Sequence, residues 1–429
     1  MGIKIAIPKE SAHHERRVAA SPDTVKKLTQ LGCEVTIQSQ AGEYASFTDN
    51  AFQDAGAKVV KSFADTVKGA NIILKVQAPS KAEIKDIPAG SLLIGMLAPY
   101  TDESLLKELI KTKIDSFSME FVPRISRAQS MDVLSSQSNL SGYKSVLDAA
   151  EHYAHAFPMM MTAAGTIPPA KVFVMGAGVA GLQAIATARR LGAVVSATDV
   201  RAAAKEQVQS LGASFIAVED DEFKEAETAG GYAKEMSASY KKKQAELVAS
   251  HIRKQDIVIT TALIPGRPAP KLVSSDMVQS MKHGSVIVDL AVETGGNCDL
   301  SKAGEVIEEN GVKIIGHINV PSRLAADASA LYAKNLFNFL TLIIDKETKE
   351  RAIDWDDDII KGICMTHNGK IVHPNFVPAV KTPAKTAVKK STVKKVTQKE
   401  KATPAKKANT ATKKKTASPA KKKTTKKDS

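Results

Sequence analysis

One stretch, from Val172 to Arg201, constrains the fold of this chain more than any other. It opens with a short apolar run typical of a strand buried on both faces. Gly176, Gly178 and Gly181 follow as G-x-G-x-x-G. In this pattern the first glycine permits a tight turn, the second lets the backbone approach a pyrophosphate, and the third lets helix and strand pack closely. A Rossmann unit that binds a dinucleotide is therefore predicted.

The residues after the glycines support this interpretation. Val179–Leu191 has apolar residues at helical spacing, and the free N–H groups at its start favour a phosphate. The next strand, Ala193–Ala197, leads to Asp199, whose carboxylate would accept hydrogen bonds from a ribose diol and repel a 2′-phosphate. NAD(H) is therefore favoured over NADP(H), although Arg201 nearby is a residue that could favour the phosphate.

With 429 residues the chain is long enough for two domains, and strand and helix patterns alternate from Lys4 to Ser116. We expect an α/β protein with two Rossmann-like doubly wound parallel-sheet domains, a cleft between them, and a disordered C-terminal tail. Residues 1–140 and 320–378 are predicted to form a discontinuous first domain, and residues 141–319 the NAD(H)-binding domain. Long helices are predicted to connect the two at Gly142–Ala156 and Ala325–Ile344.

The tail, residues 379–429, accounts for the basic character of the chain. Residues 381–429 hold 18 lysines and two acids, a net charge of +16, which leaves −2 for the other 380 residues. The tail repeats Thr-Pro-Ala-Lys, has no aromatic residue, and cannot offset its ordering entropy by burial. Three roles are open for it: contact with an anionic membrane surface or partner, contact with nucleic acid, or solubility alone.

Several classes of protein are disfavoured by the rest of the sequence. No run approaches the ~18 to 20 apolar residues of a membrane span, and the charges of the N-terminus do not fit a signal peptide. Three widely spaced cysteines indicate neither a disulfide framework nor a zinc site, and the histidines lack ligand spacing. We expect a cytoplasmic protein without a metal.

Two further segments attract attention. The polar run, Pro123–Leu140, holds two arginines, two glutamines, an aspartate and several serines, which suggests that it hydrogen-bonds a specific ligand. The charged stretch Glu219–Gln244 surrounds a glycine pair and Tyr232, a composition that fits a mobile loop closing over a ligand. An ordinary pair of surface helices is the alternative for this second segment.

With these residues in hand, the chain resembles a known family. It is similar to the soluble NAD(H)-binding α subunit, domain I, of bacterial proton-translocating NAD(P) transhydrogenase, of the type whose α subunit is split. The similarity runs from about Lys4 to Pro374. It rests on the following segments: IAIPKE, the polar run, MMMTAAGT, GAGVAGLQAIATARRLGA, TDVR, TAGGYAKEM, TTALIPGRPAP, VDLAVETGGNC and INVPSRLAADAS.

The resemblance implies a set of site residues. Residues of the polar run would line the nicotinamide side: Arg124, Ile125, Ser126, Gln129, Asp132 and Ser135. Later residues would bind the pyrophosphate, ribose and adenine: Gly176, Gly178, Val179, Gly181, Asp199, Val200, Arg201, Gly231, Tyr232, Gln244 and Leu263. Of the latter set, Gly231, Tyr232 and Gln244 belong to the mobile loop region.

The resemblance also implies an activity. Hydride would pass directly from NADH on this chain to NADP⁺ held by a partner subunit, in a Re/Si-specific reaction coupled to proton translocation by a membrane-spanning subunit. The chain would be a homodimer, peripheral on the cytoplasmic face of the inner membrane. Hydride transfer between two nicotinamides releases no proton, so Arg124, Gln129, Asp132 and Ser135 would act by positioning the ring.

Two other functions remain as alternatives. The fold is also similar to alanine dehydrogenase, whose keto-acid chemistry uses an Arg, a Lys, a His and an Asp. Arg17 and Lys75 match the first two, but Met96 and Glu293 stand in the other places, and a methionine cannot transfer a proton. The second alternative is an NAD-binding protein whose basic tail binds nucleic acid.

Overall fold

A computed structural model describes residues 2–224 and 236–377. The chain divides into a compact unit, Met1–Pro378, and a second unit, Ala379–Ser429. The predictions for Gly231, Tyr232 and the tail lie outside the described residues. Within the first unit, two sheets with helices on their faces confirm the predicted pair of Rossmann-like domains.

The strands, in chain order, are as follows: β1 Lys4–Ile7, β2 Glu34–Gln38, β3 Lys58–Val60, β4 Ile72–Gln77, β5 Leu92–Met96, β6 Asp115–Ser118, β7 Met160–Thr162, β8 Gly165–Ile167, β9 Lys171–Met175, β10 Val194–Thr198, β11 Ser214–Phe215, β12 Ile257–Thr260, β13 Val286–Asp289, β14 Val306–Glu309, β15 Val312–Ile315, β16 Cys364–His367 and β17 Lys370–Ile371.

The α-helices are as follows: α1 Pro22–Gln30, α2 Asp49–Asp54, α3 Phe63–Val67, α4 Lys81–Ile84, α5 Glu103–Lys111, α6 Val133–His152, α7 Val179–Arg190, α8 Ala204–Ser210, α9 Asp221–Lys224, α10 Ala238–Ile252, α11 Ser275–Gln279, α12 Ala325–Ile343 and α13 Asp358–Ile363. Short 3₁₀ segments lie at Glu43–Ala45, Met119–Phe121, Ser126–Met131, Val292–Thr294 and Val320–Leu324.

The first sheet has the strand order β17-β16-β6-β5-β4-β1-β2-β3. Its strands from β6 to β3 are parallel. The central strands β4 and β5 are almost entirely buried, as expected where helices cover both faces, whereas the edge strand β3 is partly exposed. The antiparallel strands β16 and β17 come from the end of the described chain and extend the sheet beyond β6. The strand order reverses between β1 and β4, which in open α/β sheets is where a crevice forms.

The second sheet has the order β11-β10-β9-β12-β13-β15-β14 and is parallel except for β14. Its central strand β9 is flanked by β10 and β12, so the order reverses between β9 and β12. The helix α7 connects β9 to β10, as in a dinucleotide-binding unit. A separate hairpin, β7–β8, precedes this sheet.

Two long helices join the domains. The predicted helix Gly142–Ala156 in fact begins at Val133 and ends at His152, because Asp132 caps it and the serines after Asp132 are helical. Val133 is buried in the first core, whereas Val146 lies in the second. The predicted helix Ala325–Ile344 is observed as α12, which packs in the first core.

The charged stretch Glu219–Gln244 is helical at both of its described ends. α9 occupies Asp221–Lys224, and Gln244 lies within α10. The described ends therefore agree with the surface-helix alternative, while the glycine pair between them lies outside the described residues. No helix in residues 2–224 and 236–377 is both long and apolar enough to cross a membrane.

Candidate functional site

The glycine turn after β9 has three positions with different surroundings. Gly176 has φ of +101°, a left-handed conformation that favours glycine. A Cβ at Gly181 would overlap the carbonyl oxygen of Gly176, so α7 packs directly on the turn. A Cβ at Gly178 would meet no heavy atom within 4 Å, which leaves open space beside the backbone. This arrangement fits a dinucleotide pyrophosphate that approaches at Gly178 and the start of α7.

Asp199 lies just beyond the end of β10 and braces this turn. Its Oδ2 accepts a hydrogen bond from the backbone N–H of Ala177 at 2.7 Å. Its carboxylate also binds Arg201, whose Nε donates to Oδ1 at 2.9 Å and whose Nη2 donates to Oδ2 at 3.0 Å. Asp199 is therefore one half of an Asp–Arg pair, in which the arginine is close enough to offset part of the negative charge.

Exposed apolar side chains surround the turn. Val179 at the start of α7 and Val200 after β10 are each 41% exposed, and Leu263 after β12 is 55% exposed. The loop that carries Leu263 is tied to the turn, because Thr261 donates from Oγ1 to the carbonyl oxygen of Gly176 at 3.0 Å. Exposed apolar groups beside an open turn can contact the faces of a bound base and nicotinamide ring.

Gln244 connects α10 to the ends of two strands. Its Nε2 donates to Thr198 Oγ1 at 3.0 Å, and its Oε1 accepts from the backbone N–H of Val218 at 3.0 Å. Both polar atoms of the amide are thus engaged within the protein. In this structure Gln244 ties the end of β10 to the segment after β11.

The polar run divides into an exposed part and a capping part. Arg124, Ile125, Ser126 and Gln129 are exposed on and before the 3₁₀ segment Ser126–Met131. Asp132 is the N-cap of α6: its Oδ1 accepts from the N–H of Ser135 at 2.9 Å and its Oδ2 from Ser135 Oγ at 2.5 Å. Asp132 and Ser135 therefore bind each other, and this contact fixes where α6 begins.

The helix that starts in the polar run passes directly over the glycine turn. A Cβ at Gly142 in α6 would overlap the carbonyl oxygen of Ala180 in α7. Asn139 Nδ2 also donates to Gln183 Oε1 at 3.3 Å. Ten residues of helix separate Asp132 from Gly142, a rise of about 15 Å. The fold thus brings the polar run and the glycine turn into one region of the molecule. This proximity could not be read from the sequence directly.

The corresponding crevice of the first domain is filled by the protein's own charged groups. Glu15 and Arg17, both buried, form an ion pair with Nη2 and Oε2 2.6 Å apart. Arg17 also donates to Gln137 and Asn319. Lys75 is fully buried, and its Nζ lies 3.3 Å from Glu10 Oε2. Sequence reasoning missed Glu15, although it lies only two residues from Arg17, because no motif marked it as a partner. It missed Glu10 because the contact with Lys75 joins residues far apart in sequence.

The carboxyl groups of this crevice are strongly perturbed. Burial raises the pKa of Glu15, but hydrogen bonds and charge from Arg17, with a hydrogen bond from Asn319, outweigh it and bring the pKa to about 2. Burial also raises the pKa of Glu10, only partly opposed by the charge of Lys75 and the backbone N–H of Val76. A deprotonated Glu15 is therefore a fixed part of the crevice.

Met96 and Glu293, the two substitutions noted in the sequence, lie where they offer little acid–base chemistry. Met96 is half-buried at the end of β5. Glu293 is exposed, and its Oε2 accepts from the backbone N–H of Asn319 at 3.1 Å. Cys33, Cys298 and Cys364 are buried free thiols. Among the described residues no cluster of His, Cys, Asp and Glu could hold a metal ion.

Comparison with known proteins places this arrangement in a family. Residues 6–141 match the domain described as "Alanine dehydrogenase/PNT, N-terminal domain", and residues 145–374 match the corresponding C-terminal domain. These matches cover most of the chain, and the chain belongs to the alanine dehydrogenase/PNT family. The family binds nicotinamide nucleotides, which agrees with the glycine turn of the second domain.

Within this family one branch is much more similar than the other. The chain is 57% identical over 377 residues to the first part of the split NAD(P) transhydrogenase subunit alpha of Rhodospirillum rubrum, covering 87% of this chain and 98% of that protein. The crystal structure of transhydrogenase from Sinorhizobium meliloti matches with 54% identity and a TM-score of 0.79, over 86% of this chain and all of that one. Alanine dehydrogenase of Halomonas elongata is 30% identical, over 86% of this chain and 95% of that protein.

Proposed function

We propose that this chain is the NAD(H)-binding subunit of a proton-translocating NAD(P) transhydrogenase. The identity of 57% to a transhydrogenase subunit, against 30% to an alanine dehydrogenase, supports the transhydrogenase branch. The open glycine turn and the polar run above it support nucleotide binding on this chain. NADP(H) is held by a separate partner subunit, and a membrane-spanning subunit couples the reaction to proton movement.

The observation that carries this choice is the state of Arg17. An amino-acid dehydrogenase needs a guanidinium free to bind the carboxylate of its keto acid. Here Arg17 is only 3% exposed and is bound by Glu15, Gln137 and Asn319. Together with Met96 in place of a proton donor, this leaves the first domain without the groups that reduction of an imine requires.

The reaction proposed for this site needs orientation and water exclusion from the protein. When bound, NADH supplies a hydride that passes to C4 of the NADP⁺ nicotinamide on the partner, and no proton is released. Arg124 and Gln129 are exposed beside the start of α6, which leaves them able to hold the carboxamide and ribose in the proposed site. Asp132 and Ser135 support them by fixing the helix start.

We further propose that the chain is a homodimer and that the hairpin β7–β8 is part of the dimer contact. All six strand residues of this hairpin are exposed, and Met161 is 75% exposed. An isolated two-stranded hairpin is at best marginally stable in water, and an exposed apolar patch indicates an interaction site. The double variant Met160→Ser with Met161→Ser is expected to sediment as a monomer, whereas the control Leu331→Ser, exposed elsewhere, sediments as wild type.

The location proposed is the cytoplasmic face of the inner membrane, through the partner subunits. The Lys-rich tail adds electrostatic attraction to an anionic surface, worth about 1 kcal/mol per lysine near the membrane. The chain ending at Val380 should keep its NADH affinity and dimerisation but bind anionic vesicles less than the full chain at low salt. Equal binding of both forms to vesicles would leave the tail with solubility alone, and stronger binding to DNA than to vesicles would favour nucleic acid.

One experiment separates the main alternatives. Purified chain is assayed for NADH oxidation in two mixtures: one with the NADP⁺-loaded partner subunit, the other with pyruvate and ammonia. We expect hydride transfer only in the first mixture, and none by the chain alone with an NADP⁺ analogue. Ammonia-dependent oxidation would contradict the proposal and identify an amino-acid dehydrogenase instead.

A further inference from the structure

The segment that returns the chain from the second domain to the first contains a strained residue. Asn319 has φ of +46° and ψ of +49°, the left-handed region that non-glycine residues rarely adopt. It lies between β15 of the second domain and α12 of the first. Strain of this kind persists only where the surroundings hold it, and it is common at sites where the backbone position matters.

The surroundings of Asn319 come from both domains. Its Nδ2 donates to the backbone oxygen of His14 at 3.1 Å and to Glu15 Oε2 at 3.0 Å, and its Oδ1 accepts from Arg17 at 3.2 Å. These three residues belong to the loop after β1 in the first domain. Its backbone N–H donates to Glu293, in the loop after β13 of the second domain, at 3.1 Å.

A second contact fastens the same segment to the crossing helix. Ser322 Oγ accepts from the backbone N–H of Arg16 at 2.6 Å and donates to Glu15 at 3.2 Å. Arg323 forms an ion pair with Asp148 of α6. The return segment is thus tied on one side to the first domain and on the other to the helix that leads into the second.

We propose that Glu15, Arg17, Asn319 and Glu293 form an interdomain latch, with Asn319 as a positioning residue that sets the width of the nucleotide cleft. The polar run belongs to the first domain's side of this cleft and the glycine turn to the second's. A change in the angle between the domains would therefore move Gln129 relative to the nicotinamide, while the structures of the polar run and of the glycine turn stay the same. The effect on the nucleotide cleft, with its Kd and hydride-transfer readouts, rests on the proposed function, whereas the latch itself, measured by hydrogen exchange, does not.

The test uses Asn319→Gly, because glycine keeps the left-handed backbone while removing the three side-chain hydrogen bonds. Asn310→Gly is the matched control: Asn310 has φ of +48° in the turn between β14 and β15, and its side chain donates only to Gln279. In hydrogen exchange of the full chain, Asn319→Gly should speed exchange at least fivefold in peptides covering residues 14–18, which lose the side-chain contacts. Peptides covering residues 291–296 should change little, because the backbone N–H of residue 319 still donates to Glu293. Asn310→Gly should leave both peptides unchanged.

The functional readout separates positioning from binding. In Asn319→Gly the Kd for NADH should stay within twofold of wild type, while single-turnover hydride transfer to the partner slows at least fivefold. Unchanged exchange in the peptides covering residues 14–18, or the same change in the control, would overturn the latch. If NADH affinity falls by the same factor as the hydride-transfer rate, the positioning role is overturned. If wild type transfers no hydride, the proposed function fails, and exchange on the isolated chain still decides whether the latch exists.

Discussion

The two sheets of this chain reverse their strand order at comparable places, between β1 and β4 in the first domain and between β9 and β12 in the second. At the second reversal the backbone at Gly178 faces open space, and exposed apolar residues surround it. In the first domain, two carboxylates bind backbone N–H groups at the end of β4, beside the reversal, and after the neighbouring strand β5. Glu10 accepts from Val76 at 2.6 Å, and Glu120 accepts from Ala98 at 2.5 Å.

This difference shows that the same strand reversal can be filled by loops in one domain and left open by loops in the other. In the first domain the strand ends are satisfied by side chains of the same domain, and Arg17 is neutralised by Glu15. In the second domain the loop after β9 carries glycines, and the neighbouring loops carry exposed apolar side chains. One crevice therefore contributes to stability and to the contact between domains, and the other is the proposed nucleotide site.

The largest effect is expected from emptying the filled crevice. Glu15→Ala removes the partner of a buried guanidinium, and breaking a buried ion pair on one side costs about 4 kcal/mol. The free energy of unfolding, measured by urea denaturation, should fall by that amount. Glu34→Ala, an exposed glutamate of β2, serves as the control and should change it by less than about 0.5 kcal/mol. Equal stability in both variants would mean that the crevice is not a structural element.

The pH dependence of the unfolding free energy tests the same contribution of Glu15 to stability. The pKa of Glu15 is lowered from 4.5 to about 2 in the folded chain, so its stabilisation is complete above pH 4.5 and is lost as pH falls towards 2. That shift corresponds to about 3 kcal/mol. Burial raises the pKa of Glu10 and of Glu120, so these groups favour the folded state at low pH and oppose the trend.

The contribution of Glu15 is therefore measured as the difference in unfolding free energy between wild type and a variant. The gap in unfolding free energy between wild type and Glu15→Gln should shrink by about 3 kcal/mol from pH 5 to pH 2. Subtracting the variant cancels the opposing contribution of Glu120 and most of that of Glu10, whose pKa is raised chiefly by burial and only in smaller part by the charge of Glu15. A gap that is constant with pH would show that Glu15 has the same pKa in the folded and unfolded chains.

Alanine substitution at two glycines of the open crevice should affect different properties, stability at Gly181 and NADH affinity at Gly178. Gly181→Ala forces a Cβ into the carbonyl oxygen of Gly176, so it should cost about 2 kcal/mol of stability. Gly178→Ala meets no atom, and its φ of −75° suits alanine, so stability should hold. NADH affinity of the Gly178 variant, measured by fluorescence titration, should nevertheless fall about tenfold if the pyrophosphate approaches there. Unchanged affinity would remove the pyrophosphate from this turn.

The smallest effect concerns nucleotide preference. Wild type should bind NADH more tightly than NADPH because the 2′-phosphate meets the Asp199 carboxylate. Arg201 offsets part of that charge, so we expect the preference to be about tenfold and to narrow to about threefold in Asp199→Asn. The asparagine retains an acceptor for the N–H of Ala177. Equal affinities of wild type for both nucleotides would contradict the NAD(H) assignment.

Much of the second domain could be predicted from sequence because its signals are local. The glycine spacing and the apolar runs around it lie within thirty residues. The ends of the observed β9, α7 and β10 lie no more than one residue from the predicted ends. The observed start of α6, in contrast, lies nine residues before the predicted one. The serines of the polar run have low helix propensity, but Asp132 is a strong N-cap and could have indicated the start.

What could not be predicted depends on contacts distant in sequence. Glu10 binds a backbone N–H 66 residues away, and Asn319 binds Glu15 across 304 residues. Neither residue belongs to a motif whose spacing could reveal such a contact. The strands β16 and β17 are short and join the sheet only because β6 leaves an edge to pair with. The roles expected for Gly231 and Tyr232 stay predictions, since both residues lie outside the described ranges.

The position of β16 has a consequence for how the chain is made. Ser116 in β6 and Thr366 in β16 share a hydrogen bond of 2.7 Å although 250 residues separate them. At about 5 to 20 residues per second, a ribosome takes roughly 10 to 50 s to cover that interval. The second domain can fold during this time because β9 to β15 are contiguous, whereas the edge of β6 stays unpaired until synthesis is almost complete. The newborn chain therefore depends on protection of that edge, and translation speed is expected to affect its yield.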